Sequence, residues 1–224
     1  MKQLIRYLFP KHAVEKLRRV YFRHFGHNRI NIANGNNVVL CNALLRKCII
    51  NVVGHNNIIE IRGGNILINS NIQVYGNDCV IIIGENNLLK DSILWLEDRK
   101  SSIIIGNDNK FCGKVHIGVV EKTRVTIGNN CLFSSEIYIT TTDSHSIIDI
   151  STGKRINPSL DVNLGNHVWV GHKATILKGV SIADNTIIGA CALVTKSIDE
   201  QNTIFAGNPA RVVRQNVNWD EHRI

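Results

Sequence analysis

The residue best suited to chemistry in this sequence is His145, in the polar segment Thr-Thr-Thr-Asp-Ser-His-Ser at residues 140–146. Imidazole titrates near neutrality, so a positioned histidine can take the proton of a hydroxyl group as its oxygen attacks a carbonyl. Asp143 or a backbone carbonyl can fix the tautomer of the ring, and the sequence leaves both open. A histidine in a polar loop is otherwise an ordinary solvated side chain, so its role depends on the surrounding elements.

Other reactive side chains fit a catalytic centre less well. Cys191 has no neighbour in sequence that would activate it as a nucleophile. The six cysteines lack Cys-x-x-Cys spacing, which favours reduced cytosolic thiols packed as small apolar groups. No metal is expected, because the histidines that could bind zinc lie at predicted positions that do not converge. These histidines are His116, His145, His167 and His172.

Around the turn that holds Trp169, the sequence repeats every six residues. An aliphatic side chain recurs at each sixth position, and a small or β-branched residue stands two places before it, as in Val168-Trp169-Val170. Such triplets are typical of very short strands with the middle residue outward, and turn-forming residues separate them. A strict hexad of strands and turns predicts a parallel β-helix. The aliphatic positions are Leu164, Val170, Ile176, Ile182, Ile188 and Val194.

A looser repeat extends back to about Ile30, marked by Gly followed by Asn or Asp. The steps from Gly84 to Gly106 and from Gly106 to Gly128 are twenty-two residues, four more than three hexads. We expect the aligned asparagines to form hydrogen-bonded ladders or to pair with corner backbone groups. The strand triplets aligned on this basis are residues 81–83, 87–89, 93–95 and 103–105.

This alignment places the extra residues at one corner, in segments 96–102 and 118–124. The interruption at residues 140–160 is predicted to leave the same corner. A long loop on a rigid scaffold is where function is most often carried.

The amino-terminal segment, residues 1–27, has apolar residues at roughly helical spacing among lysines and arginines. A basic amphipathic helix can cover the open end of a solenoid or lie on an anionic membrane, and we favour the cap. The predicted division is therefore a helical cap at 1–27, a β-helix at 28–205 with a protruding loop at 140–160, and a carboxy-terminal turn and tail at 206–224.

Four segments together resemble the hexapeptide-repeat acyltransferases: VWVG at 168–171, ILKGVSI at 176–182, IIGACALVTKSI at 187–198 and AGNPARVV at 206–213. The resemblance implies an all-β fold, a left-handed parallel β-helix with three sides and eighteen residues to a coil. It also implies an acetyl-CoA-dependent O-acetyltransferase that acts as a homotrimer with active sites between subunits.

The loop motif TTTDSHSI resembles that of capsular and cell-surface polysaccharide O-acetyltransferases, including those acting on sialic and polysialic acid. The resemblance implies that His145 is the general base, with Asp143 and Trp169 as further catalytic candidates. Trp169 is expected either to form a wall of the acceptor pocket or to pack against a neighbouring subunit. Lys154, Arg155 and Tyr138 are expected to bind the carbohydrate acceptor. Coenzyme A is expected to lie along the β-helix near residues that match the family motif. These candidates are Gly171, Lys178, Gly189, Ala190, Lys196, Asn208, Pro209, Ala210 and Arg211.

Lys178 and Lys196 are eighteen residues apart. With eighteen residues to a coil they stack at one corner, separated by the usual strand spacing of about 4.8 Å. Stacked like charges repel each other, and a phosphate beside them would remove the conflict. With the charged residues of the extended corners, the two lysines predict a basic edge that suits coenzyme A or an acidic sugar.

The formal charge of +8 favours anionic partners. Nucleic acid is not expected, because the sequence has no recognition motif and few aromatic residues for base stacking. A non-enzymatic basic solenoid that binds polyanions remains an alternative, as does N-acetyl transfer to an amino sugar or antibiotic. The absence of a long apolar run and of a signal-peptide pattern predicts a cytoplasmic protein, with peripheral membrane contact open through residues 1–27.

Overall fold

Strands of two to ten residues recur throughout residues 26–223, the part of the chain that the computed structural model describes. Except for the last strand, the paired strands are parallel and lie one turn apart, so the chain winds around three flat faces. The result is an all-β parallel solenoid of about eight turns that matches the left-handed β-helix. No helix occurs among residues 26–223, and the predicted helical cap lies outside them apart from Gly26 and His27.

Long strands at the middle of the molecule cross from one face to the next, and the remaining strands belong to one face each. Face 1 contains β1 (Arg29–Ile32), β4 (Ile49–Val52), β7 (Asn71–Val74), β10 (Ile93–Leu96), the second halves of β12 (Lys110–Val119) and β14 (Leu132–Thr140), β17 (Thr175–Ile176) and β20 (Leu193–Val194). Face 2 contains β2 (Asn37–Leu40), β5 (Ile58–Ile61), β8 (Val80–Ile83), β11 (Ser102–Ile105), β13 (Arg124–Ile127), β15 (Val162–Leu164) and β18 (Ser181–Ile182).

Face 3 completes the prism and ends it. It contains β3 (Leu44–Arg46), β6 (Ile66–Ile68), β9 (Leu88–Lys90), the first halves of β12 and β14, β16 (Trp169–Val170), β19 (Ile187–Ile188) and β21 (Thr203–Ala206). The last strand, β22 (Arg211–Gln215), pairs antiparallel with β21. The sequence analysis assigned no strand to this tail.

The strand registers confirm the predicted change of repeat length. Ile49, Asn71 and Ile93 are register partners twenty-two residues apart, whereas Trp169 and Ile187 are eighteen apart. The extra residues enlarge the corner between face 1 and face 2, as predicted, and we call this the arm corner. It contains residues 97–101, 120–123, 141–161, 177–180 and 195–197.

One strand differs from the predicted alignment by a single residue. The triplet 93–95 was expected to place Ile93 and Trp95 inside, but Leu94 and Leu96 are the buried residues. Because side chains alternate along a strand, this shift turns Ile93 and Trp95 outward. Leu94 and Leu96 are the inward pair because β10 is in register with β7, whose Ile72 and Val74 also face the interior.

The interior is a continuous column of aliphatic side chains, with two rings at its middle. Phe111 and Phe133 lie on adjacent turns with ring centroids 4.4 Å apart. Both are fully buried, so they supply much of the apolar area that holds these turns together. Cys131 is buried beside this column, and burial raises the pKa of its thiol to about 12, which makes it a packing group.

The predicted asparagines pair with corner backbone groups between face 2 and face 3, because Asn107 accepts the Glu85 backbone N–H and Asn129 accepts the Asn107 backbone N–H, both at 2.7 Å. A second row of asparagines, which was not predicted, is buried at the same corner. The Asn109 side chain donates to the Gly128 carbonyl at 2.9 Å and accepts from the Cys131 backbone N–H at 2.8 Å. Asn87 makes the equivalent contacts to Gly106 and to the Asn109 backbone N–H. Each amide therefore satisfies corner groups of the next turn that water cannot reach.

The end of the chain folds back along face 3 as a strap, residues 216–223. The Val217 backbone N–H donates to the Asn202 carbonyl at 3.0 Å. Trp219 stacks on the His167 ring with centroids 4.1 Å apart, and Glu221 forms an ion pair with Lys110. The strap thus crosses several turns of the solenoid on the side away from the arm corner.

Candidate active site

The interruption at residues 141–161 is an ordered arm that leaves the arm corner, as the sequence predicted. Its two limbs run antiparallel, with backbone bonds from Asp149 N–H to the Lys154 carbonyl at 2.8 Å and from Ile156 N–H to the Ile147 carbonyl at 2.9 Å. A turn with Gly153 in the left-handed region closes the end. The arm therefore has a defined shape and carries His145 near its base.

A buried asparagine organises the base of the arm. The Asn157 amide nitrogen donates to the Asp143 carboxylate and to the His145 carbonyl, both at 2.8 Å. Its amide oxygen accepts the Ile147 backbone N–H at 2.7 Å. The backbone on both sides of His145 is therefore held by one side chain, while the His145 side chain is exposed.

Asp143 forms an ion pair with Lys178, which reaches up from the next turn of the arm corner. Lys178 also donates to the Asn157 carbonyl at 3.2 Å. The Lys178 ammonium, with a second contribution from Asn157, holds the pKa of the Asp143 carboxyl below its usual range. The carboxylate thus fastens the arm to the solenoid, and among residues 26–223 the His145 ring makes no hydrogen bond to it.

The His145 backbone N–H instead donates to the Asp143 carbonyl at 2.8 Å. Of the two partners considered for the His145 ring, neither the carboxylate nor a carbonyl contacts it within the described residues.

A second ion pair holds the outer limb. Arg155 donates to the Glu121 carboxylate at 2.6 Å, and the Ser159 backbone N–H donates to the same carboxylate at 3.2 Å. The Arg155 guanidinium holds the pKa of Glu121 below its usual range. Lys154 is exposed at the far end of the arm.

The arm corner is therefore not uniformly basic, which corrects the sequence interpretation. Arg99 forms an ion pair with Asp78, and the Arg155 and Lys178 charges are matched by acids as described above. The repulsion expected between Lys178 and Lys196 is relieved within the chain, because Asp143 pairs with the first of them. The acids lay in neighbouring turns, where sequence spacing did not reveal them.

Tyr138 lies outward on face 1, three residues before the arm begins at residue 141. Its ring meets the His116 ring edge-on, with centroids 5.2 Å apart. Burial lowers the pKa of His116, so this histidine favours its neutral form. Tyr138 is thus close in sequence to the arm and displayed on an adjoining surface, as an acceptor-binding residue requires.

Trp169 lies outward on face 3, as the sequence predicted, and is 38% exposed. Its ring centroid is 6.1 Å from that of Trp219 in the strap. Face 3 is opposite the arm corner, so Trp169 and His145 of one chain lie on different sides of the prism. The structure therefore does not bring these two candidates together within a single protomer.

The coenzyme candidates divide between two corners. Lys196, Ala210 and Arg211 line one cavity of about 240 Å³ with the apolar residues Val194 and Phe205. The turn that delivers Ala210 and Arg211 contains the cis peptide bond between Asn208 and Pro209. Two cations beside an apolar wall fit an anionic, partly apolar ligand such as coenzyme A.

Gly171, Gly189 and Ala190 lie at the corner between face 3 and face 1. A Cβ on Gly171 would come within 2.8 Å of the Gly189 carbonyl carbon, and one on Gly189 would come within 2.8 Å of the Ala206 Cβ. Close stacking of successive turns is thus sufficient to explain both glycines, whatever else they contact.

Within residues 26–223, no group of three or more His, Cys, Asp or Glu is placed to hold a metal ion. The same part of the chain contains no helix of the length and apolarity needed to cross a membrane.

Comparison with known proteins places this arrangement in a family. Residues 161–196 match the bacterial transferase hexapeptide family of six repeats. The solved structure of the polysialic acid O-acetyltransferase OatWY is 30% identical with a TM-score of 0.71, and the alignment covers 88% of this chain and 90% of OatWY. The chain belongs to the hexapeptide-repeat acyltransferase family.

Other members of the hexapeptide-repeat acyltransferase family also match. The polySia-specific acetyltransferase NeuO has a TM-score of 0.78 at 27% identity, over 87% of this chain and 83% of NeuO. A polysialic acid O-acetyltransferase of Escherichia coli O1:K1 is 33% identical over 81 residues, which are 36% of this chain and 26% of that protein. The galactoside O-acetyltransferase of Escherichia coli K12 is 44% identical over 64 residues, 29% of this chain and 31% of that protein. The matches to these two curated relatives thus span about a quarter to a third of their length.

Three residues of this hexapeptide-repeat acyltransferase escaped the sequence analysis: Asn157, Glu121 and Trp219. Asn157 follows the basic pair that the analysis singled out, but nothing in its spacing marked it as buried. Glu121 lies in an extended corner that had been assigned to basic residues. Trp219 is one of only three tryptophans, and this rarity was the available signal in the tail.

Proposed function

We propose that this hexapeptide-repeat acyltransferase transfers an acetyl group from acetyl-CoA to a hydroxyl of a carbohydrate. The favoured acceptor is a bacterial capsular or surface polysaccharide, or its sugar precursor. The observation that carries the proposal is the 30% identity over 88% of the chain to OatWY, a polysialic acid O-acetyltransferase. Relatives named for galactoside and polysialic acid O-acetylation support the same reaction and a carbohydrate acceptor.

His145 is the proposed general base. It is exposed on an arm whose backbone is fixed by Asn157, so the ring is free to meet an acceptor while its position is held. As the acceptor oxygen bonds to the thioester carbonyl carbon, the imidazole takes the hydroxyl proton. It returns this proton to the departing thiolate, so the products are the acetyl ester and free coenzyme A. Asp143 acts through Lys178 and Asn157 to keep the arm in place.

Acetyl-CoA supplies the activated acetyl group. Lys196 and Arg211 are the proposed partners of its phosphates, supported by the cavity of about 240 Å³ that both residues line. A phosphate binds cationic side chains more strongly than a neutral group does, because the hydrogen bonds are charge-assisted. The apolar residues of the same cavity suit the less polar part of the coenzyme.

The proposed active unit is a homotrimer with sites between subunits. His145 and Trp169 are on opposite sides of one prism, so a site that uses both requires two protomers. The arm also carries exposed apolar side chains at Ile147, Ile148, Ile150 and Ile156, which suit burial against a second copy. Trp169 of one subunit would then form a wall of the acceptor site served by His145 of another, with Tyr138, Lys154 and Arg155 as acceptor-binding candidates.

The test uses purified protein, labelled acetyl-CoA and polysialic acid, with His145→Ala as the variant. His55→Ala is the control, because His55 is an exposed histidine in an earlier turn of the same corner. We expect His145→Ala to lose at least about a hundredfold in kcat, the usual size of general-base catalysis, while its size in solution and acetyl-CoA affinity stay unchanged. His55→Ala should behave as the parent.

Mild alkali separates the two acetyl-transfer hypotheses, because it releases acetyl from an ester and leaves an amide intact. Alkali-stable label on an amino sugar would favour N-acetyl transfer. His145→Ala activity within about tenfold of the parent would exclude this residue as the base.

A further inference from the structure

An exposed and a half-buried aromatic ring lie together on face 1, four to five turns away from the coenzyme cavity. The Tyr75 and Trp95 ring centroids are 4.9 Å apart, with the rings tilted by 45°. The Trp95 indole N–H donates to Glu97 at 2.8 Å, and the Tyr75 hydroxyl donates to Gln73 at 3.1 Å. The rings are therefore held in place by their polar ends while part of each remains open to solvent.

The strand after Trp95 leaves a gap beside the indole. Gly118 is the register partner of Trp95 on one side and of Thr140 on the other. A Cβ added at Gly118 would meet only the His116 ring, at 3.8 Å, so the space outside this glycine is empty. Since strands are about 4.8 Å apart, the missing side chain leaves a notch about as high as one saturated ring is thick.

The walls of this notch offer both apolar and polar surface. Trp95 stands on one side, and the paired rings of His116 and Tyr138 stand beside it. On the other side, Thr140 is buried where the arm begins. A ring in the notch would thus stack on an indole and lie against the base of the arm that carries His145.

A groove at the arm corner continues from the aromatic pair. It has a volume of about 790 Å³, and its lining includes Tyr75, Arg99, Glu121 and Lys122. Glu121 also holds Arg155 of the arm, so the groove leads from Tyr75 to the arm itself. Its mixture of cations and carboxylates offers donors and acceptors for hydroxyl groups.

We propose that the Gly118 notch and this groove form an accessory subsite for the acceptor glycan, with one sugar ring stacked on Trp95. The inference rests on the proposed function and adds to it a preference for long acceptors. A glycan bound at this subsite extends past the base of the arm, so another of its sugar rings can reach His145. Binding at a second point raises the local concentration of acceptor hydroxyls at the arm without changing the chemical step.

The test fills the notch by Gly118→Leu. Gly118 has an ordinary φ and free space around it, so the fold accepts the side chain. Thr126→Leu is the control, because it adds bulk at an outward strand position on face 2. Trp95→Ala and Trp95→Phe test the stacking ring separately, and the phenylalanine should retain part of the effect.

With long polysialic acid, we expect Gly118→Leu and Trp95→Ala to raise KM by at least about fivefold, the loss of one stacking contact. The KM for a sialic acid trisaccharide, the KM for acetyl-CoA and kcat at saturation should stay at the parent values. Calorimetric titration with the polymer should show the same weakening without turnover.

An equal rise in KM for short and long acceptors would overturn the subsite, as would unchanged KM for the polymer. A changed size in solution for Gly118→Leu would assign this surface to a subunit interface instead. If the parent acetylates glycans and Gly118→Leu matches it, the subsite fails and the proposed function stands. If the parent binds the polymer through this notch but transfers no acetyl group, the function fails and the subsite stands. A parent that neither binds nor acetylates glycans overturns both.

Discussion

The solenoid and the arm each contain a buried asparagine. The two side chains make nearly the same hydrogen bonds but have different structural roles. Asn109, in the solenoid, pairs with backbone groups of a turn whose strands already lie in a continuous parallel sheet. Asn157, in the arm, pairs with backbone groups beside His145, where only a few other contacts fix the chain. The Asn109 amide therefore stabilises the fold as a whole, whereas the Asn157 amide fixes the local backbone geometry around His145.

This difference follows from what surrounds each element. A turn of the solenoid has neighbours above and below, so its strands share one hydrophobic interior and unfold with it. The arm exposes most of its apolar residues, and it is tied to the solenoid mainly through Asp143–Lys178 and Glu121–Arg155. Substitutions in the solenoid should therefore change stability, whereas those in the arm should change activity.

The largest difference between effects on stability and effects on activity should come from comparing Asn109→Ala with Asn157→Ala. Asn109→Ala leaves two buried backbone groups unpaired, at about 1–3 kcal/mol each, so the free energy of unfolding should fall by about 2–6 kcal/mol. Asn157→Ala should leave global stability almost unchanged, because it releases only the arm. Its kcat on polysialic acid should fall roughly tenfold to a hundredfold, since His145 is no longer held in position.

Denaturant unfolding and steady-state kinetics on both variants provide the measurement. If Asn157→Ala lowers global stability as much as Asn109→Ala does, the arm is part of the cooperative unit and the distinction between the two regions is lost.

Substitutions of Lys178 and Lys196, which lie at the same corner, should differ less in their effects. Lys196→Gln should raise the acetyl-CoA Kd about threefold to tenfold and flatten its salt dependence, because a charge-assisted phosphate contact is lost from the cavity. Lys178→Gln should change that Kd less than Lys196→Gln does. It should lower kcat, because Asp143 loses its ion-pair partner and the arm is no longer held to the solenoid there.

Isothermal titration at two salt concentrations, combined with kinetics, separates the two lysines. Equal effects of both substitutions on coenzyme binding would show that Lys178 leaves Asp143 to contact the coenzyme.

The smallest expected effect is the loss of the arm's ion pairs at low pH. The pKa values of Asp143 and Glu121 are lowered in the folded protein by Lys178 and Arg155 respectively. Their contribution to holding the arm is therefore complete above the unfolded pKa values of about 4 and is lost as pH falls through the lower folded values. The protection factors of the arm amides, which correct for the intrinsic pH dependence of exchange, should stay constant from about pH 7 down to about pH 4 and fall below that, while β8 and β11 stay protected.

Asp143→Asn should remove part of this acid dependence at the base of the arm. Loss of protection in the arm near neutral pH would point to a different titrating group.

The periodic part of the molecule was the predictable part. The hexad of aliphatic residues and the twenty-two-residue spacing of Gly-Asn pairs led to a parallel solenoid and to the corner that bears the arm, because each turn has the same environment as the next. Trp95 shows the limit of this reasoning. Ile93 and Leu94 are both acceptable inside, so the sequence did not exclude a shift by one residue, and the register with the preceding turn decides the inward residue.

The candidate site was predictable only as far as the arm and its histidine. The ion pairs of the arm join residues thirty-four or thirty-five positions apart in sequence, so local spacing carries no sign of them. The strap is similar, because the stacking of Trp219 on His167 depends on a path of the tail that no repeat describes.

In a simple stack of turns each layer interacts only with its neighbours, so such a molecule can fray from either end one layer at a time. The strap alters that picture, because the last residues of the chain reach Asn202, His167 and Lys110 on separate layers. Detaching the final turn therefore also breaks contacts made farther up the stack. The carboxy-terminal end becomes a clamp that couples distant layers, and the turns with the proposed coenzyme cavity are the ones it protects from fraying.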